Sequence, residues 1–256
     1  MNKGQKTAVA ILGAALAVGA TACASRSTGA TAGRVASGAA SGAANAPSSA
    51  AGTLEGLSGA EIGTRAIADL KAASSVRMIG SGMDSGASVS WDLSLASGRG
   101  CTGKISKGSA GSFQIVVIGT KFWLKPDAAF WKAAGGSDPA TLGALTGKYL
   151  ETTTTNSRMA SLADLCDVNK SLVKAVGDVS GLTKGIAVTV NGQKALAMDD
   201  ASTSIVTVSD SATPEILRVT SGGANPSRVN LSDYNKPVTL TPPSSSEILD
   251  GAKFGM

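Results

Sequence analysis

The chain has 256 residues, 43% of them hydrophobic, with 23 Lys and Arg against 18 Asp and Glu. Setting aside Lys3, Lys6, Arg26 and Arg34 leaves 19 basic against 18 acidic residues from position 54 onward, which excludes an electrostatic footprint for nucleic acid. The absence of histidine excludes Ser-His-Asp and Cys-His catalysis and every His-ligated metal site.

Lys3 and Lys6 precede an apolar run over 8–20, followed by Ala20-Thr21-Ala22-Cys23. A positive segment, a short apolar segment and small residues make a secretory signal peptide over 1–22. The run is too short for a spanning helix. The four residues ending at Cys23 resemble a bacterial lipobox with Ala in place of the usual Leu, which implies acylation of Cys23. Residues 24–53 are mostly Ala, Gly, Ser and Thr, with Pro47 and almost no large apolar side chain. Burial there could not offset the entropy of ordering, so 23–53 reads as the lipidated Cys and a flexible tether with a mean reach of roughly 30 Å. Residues 54–256 remain for a single domain.

Ser58-Gly-Ala-Glu61 is a capping-box pattern, and Ile62, Ala66, Ile67, Leu70 and Ala73 come after it at helical spacing, predicting a helix over 59–73. The period then becomes two. Strands are expected over 76–82, 89–95, 100–107, 112–118 and 121–126, forming a meander with turns at 84–86, Gly98, Gly108 and Gly119-Thr120. Val89, Trp91, Leu93 and Leu95 alternate with polar residues, as in a strand with one buried face. The segment 111–131 carries five of the nine aromatics and ends in Pro126 and Asp127, which close the strand and cap a short helix. Leucines and valines over 142–176 suggest short helices. A second meander is expected over 186–190, 194–198, 203–208, 215–220 and 228–231, with Asn191-Gly192 as its strongest turn signal. Residues 247–250 read as a last helical turn.

Runs of strands beside runs of helices indicate α+β. About ten antiparallel strands in one sheet would curl, giving a strongly curved half-barrel with short helices covering the concave face. Cys101 and Cys166 are the pair left after Cys23, and an exported domain favours a disulfide between them over two buried free thiols. They lack zinc or redox-motif spacing. No P-loop or dinucleotide fingerprint occurs, and Ser171-Leu-Val-Lys174 stands without the partner motifs of penicillin-binding enzymes. No cofactor and no enzymatic activity are expected.

Several short motifs resemble the LppX/LprG group of actinobacterial lipoproteins, related in fold to the LolA/LolB carriers. They are Cys101-Thr-Gly-Lys-Ile105, Gly119-Thr-Lys-Phe-Trp-Leu-Lys-Pro-Asp127 with Phe130-Trp131, Gly147-Lys148-Tyr149, Leu162-Ala-Asp-Leu-Cys166, Leu217-Arg218, Ser232-Asp233-Tyr234 and Pro242-Pro243. The resemblance covers about 60–250. It implies a bent antiparallel half-barrel with helices across its hollow, and a role in carrying acylated lipids or glycolipids at the cell envelope.

The residues allow two readings. In the first, a lipoprotein anchored to the outer face of the cell membrane holds a lipid or glycolipid in an apolar cavity. Alternation assigns Val89, Trp91, Leu93, Phe113, Ile115, Val117, Trp123, Val188, Leu217 and Val219 to its wall. In the second, the same residues fill the core of an envelope scaffold or accessory protein.

Overall fold

In the computed structural model, which describes residues 54–84, 86–135, 138–200 and 203–254, Ser58 and Glu61 close a reciprocal cap at 2.8 and 3.2 Å. This starts α1, Gly59–Ala72, whose Ile62, Ala66 and Leu70 face the core. The expected signal peptide, Cys23 and tether lie outside the described residues. Next come β1 (Ser75–Asp84), β2 (Ala87–Ala96), β3 (Gly100–Ser106), β4 (Ser112–Ile118) and β5 (Lys121–Pro126). Asp127 and Asp138 cap α2 (Ala128–Ala133) and α3 (Pro139–Leu145). After β6 (Tyr149–Thr153) the chain forms α4 (Ala160–Asp164), a π-helical turn at Asn169–Val173, and α5 (Lys174–Val176). Five more antiparallel strands come next: β7 (Thr183–Val190), β8 (Gln193–Asp199), β9 (Ser204–Ser209), β10 (Ile216–Ser221) and β11 (Ser227–Ser232). The short β12 (Ile248–Asp250) ends the series.

All twelve strands join one open, curved sheet in the order β12-β6-β5-β4-β3-β2-β1-β11-β10-β9-β8-β7. Two meanders meet where β1 pairs with β11, with Met78 opposite Leu231 and Gly80 opposite Val229. Two expectations are corrected. Residues 149–153 form a strand, held between β5 and β12, and the threonines after Glu151 suit that extended backbone. Residues 248–250 pair in parallel with β6 rather than closing a helical turn.

One apolar cluster fills the inner face. It joins α1, Cys166, Val168, Leu172 and Val176 to side chains from both meanders, including Val76, Leu95, Phe122, Val206 and Leu231. Cys101 on β3 and Cys166 after α4 are disulfide-bonded, fastening the helical cover to the sheet. The core, the bond and every strand pairing lie within one compact unit, Pro47–Met256, which supplies its own stabilising contacts.

Candidate binding site

Register across the first meander stacks the inner side chains into rows. Leu95, Cys101, Val117 and Phe122 stand opposite one another. The next row is Leu93, Gly103, Ile115 and Leu124, and the third is Trp91, Ile105, Phe113 and Pro126. Val89 lies one step beyond, opposite Gly82. The wall therefore runs from a floor beneath the disulfide to a rim at Val89 and Trp91, which are only half-buried. Gly80 faces Trp91 across the strands, and a Cβ there would lie 2.4 Å from the indole carbons. The ring lies on the β1 backbone in the space that glycine leaves. Its buried Nε1 has no hydrogen-bond partner.

Seven of the residues assigned to the wall share this inner face: Val89, Trp91, Leu93, Phe113, Ile115, Val117 and Val219. Three do not. Trp123 stands opposite Val116 and Glu151 on the outer face, where its Nε1 donates to Glu151 Oε2 at 2.9 Å. Its neighbours Phe122 and Leu124 face inward instead. Val188 and Leu217 join Val190 and Ala195 in a small outer cluster. Val188 lies just past a register shift between Lys184 and Ala187 in β7, and Leu217 lies within one between Ile216 and Arg218 in β10. An extra residue in one strand occupies the shift itself and reverses the facing of the residues beyond it. Simple alternation also misses Met78, Ile105, Met198 and Ile216, which belong to the inner cluster.

The interior is filled. Leu93, Leu95, Ile115 and Phe122 are 0% exposed, so no void of water size borders them. A cleft of about 500 Å³ opens at the disulfide end, but its lining is mostly polar: Lys71, Arg99, Asp164, Asp167 and Lys170 beside Val117 and Cys166. Behind α1, the Tyr234 hydroxyl donates to the Ile216 carbonyl at 2.8 Å, and burial pushes its ionisation up. Burial, then the Asp69 carboxylate, raises the Glu215 pKa. No group of three or more His, Cys, Asp or Glu among the described residues could hold a metal ion. None of their helices is long and apolar enough to cross a membrane.

No family model and no curated protein matches the sequence. Solved structures do. LprF from Mycobacterium bovis superposes with a TM-score of 0.53 at 12% identity, covering 73% of this chain and 97% of LprF. The chain has the LprF fold. The lipoprotein LppX from Mycobacterium tuberculosis matches at 14% identity and a TM-score of 0.45, covering 71% of this chain and 97% of LppX. The expected resemblance holds at the level of fold, on the LprF superposition. In this LprF-like sheet, the disulfide bridges the inner wall and the helices that cover it.

Proposed function

We propose that the chain is a non-enzymatic lipoprotein, anchored through acylated Cys23 at the outer face of the cell membrane, that holds an acyl chain of a lipid or glycolipid against the inner wall of its sheet. The observation that carries this reading is the continuous apolar wall, from the disulfide row to the half-buried rim at Val89 and Trp91, under helices too short to form a sheet-wide layer. The LprF fold supports it. Because the interior is filled, uptake requires the cover over 160–176 to lift away from β2–β5. Burying an acyl chain gains about 0.8 kcal/mol per methylene, so a chain of about sixteen carbons could offset substantial repacking. A second reading, a scaffold or accessory protein with a permanently filled core, is favoured by the full burial of Leu93 and Ile115.

Val117→Trp separates the two. Its Cγ atoms face the core beside Cys101 and Phe122, so the larger ring overpacks the closed interior by about 1–3 kcal/mol. A carrier brings co-purified lipid into native mass spectrometry as the parent and loses it in the variant. A parent that never carries lipid, with a variant that only melts earlier, refutes the carrier.

A further inference from the structure

Four rings lead from the core to one corner of the surface. Phe113 packs on Phe130 at 5.3 Å, Phe130 on Trp131 at 6.4 Å, and Trp131 on Phe254 at 6.3 Å between centroids. Phe113 is 4% exposed and Phe254 is 40% exposed. The last contact brings α2 against the C-terminal turn Gly251–Phe254, so Lys132 and Lys253, each next in sequence to a ring of that pair, share the corner. Neither lysine makes an ion pair among the described residues. Close by, Lys125 lies over the Tyr149 ring at 4.8 Å, and Lys148 donates to the Ser246 carbonyl.

The carboxylates of this region are already engaged. Asp127 accepts from Ser112 and the Phe130 N–H, Asp250 from the Ala252 N–H, and Glu247 from Ser244 while pairing with the Lys125 ammonium at 4.0 Å. The exposed Phe254 ring and the half-buried Trp131 are thus flanked by Lys132 and Lys253, two exposed ammonium groups without an ion pair among the described residues. That combination suits the boundary of an anionic bilayer. Rings favour the headgroup zone, where one side is apolar and the other wet, and lysines pair with lipid phosphates. A protein partner would gain from the rings but would need its own acidic surface to match the lysines.

We propose that this corner is where the domain rests on an anionic lipid surface, with Trp131 and Phe254 entering the headgroup zone and Lys132 and Lys253 binding phosphates. The Trp131–Phe254 contact lies at the surface end of a ring series that begins at Phe113 of the inner wall. Docking there fixes the orientation of the domain on the lipid surface.

The test uses the self-contained unit 47–256, which lacks Cys23, so a failed anchor and a failed docking face are read separately. It is floated with vesicles of phosphatidylcholine alone or with added phosphatidylglycerol. The unit should rise with the acidic vesicles only, and less as salt is raised. Each basic side chain at such a surface contributes about a fivefold change, so Lys132→Gln with Lys253→Gln should weaken binding by about 25-fold. Both side chains are exposed, so the variant should melt with the parent. Phe254→Ser should weaken binding without changing its salt dependence. A unit that stays behind with acidic vesicles overturns the proposal. So does equal binding to both vesicle types, or undiminished binding by the double lysine variant.

Discussion

The Trp123 indole donates its N–H to Glu151 at 2.9 Å on the outer face, with the Lys121 ammonium 5.7 Å from the ring. Its burial comes from packing between strands rather than from the interior. Trp123→Phe keeps most of the apolar contact and loses the hydrogen bond. Glu151 is 33% exposed at its side chain, so water replaces much of the lost bond, and the expected cost is about 1 kcal/mol. A urea midpoint should fall slightly while any bound lipid stays. Loss of lipid in this variant would return Trp123 to the binding wall. The placement is readable in the hairpin. A two-residue turn at Gly119-Thr120 pairs Ile118 with Lys121 and therefore Val117 with Phe122. Val117 and Trp123 cannot then share a face, and the lysines flanking Trp123 mark its side as the wet one.

Asp127 organises the junction between β5 and α2. Its carboxylate accepts from the Phe130 N–H at 2.7 Å and from the Ser112 N–H and hydroxyl at 2.9 and 2.7 Å. The cap on Phe130, then the Ser112 bonds, hold its pKa below the usual carboxylate range. The sign comes from a depressed folded-state pKa. The contribution is present above the unfolded pKa, near pH 4, and is lost as pH falls through the lower folded value. Asp127→Asn should therefore destabilise the protein at pH 6, and the gap to the parent should narrow by about pH 3. Paired denaturant titrations at the two values check this. A gap that stays constant would mean that the carboxylate charge plays no part in the cap. At the same scale, the bulges in β7 and β10 explain Val188 and Leu217. Strand identity is legible in both segments, but an inserted residue has no signature in an alternating pattern.

The disulfide acts on the whole molecule. Cys101 belongs to the floor of the inner wall, and Cys166 to the helical cover, with a sequence separation of 65. Closing a loop of that length limits the unfolded chain by roughly 4 kcal/mol on the entropic account, less any native strain. Cys101→Ala with Cys166→Ala should lower the denaturation midpoint. Amide exchange should rise first over 160–176, because only packing then holds those short segments to the sheet. Uniform acceleration across the sheet instead would show that the bond does not act on the cover.

The capping box at Ser58 and Glu61, most strand segments and the cysteine pair depend on near neighbours in sequence or on counting, and so are legible from residues alone. The inner facing of Leu93, Phe113 and Ile115 comes from alternation in strands free of bulges. The features that the tertiary structure decided have a different physical origin. The pairing of β1 with β11 joins residues more than a hundred positions apart, and no local pattern encodes it. The strand nature of β6 depends on β5 and β12 lying on either side of it. Whether the hollow is open or filled depends on how the volumes of α1, Leu172, Val176 and the strand side chains sum across the interior. Close packing sets that sum, and apolar periodicity is the same for a wall and for a core.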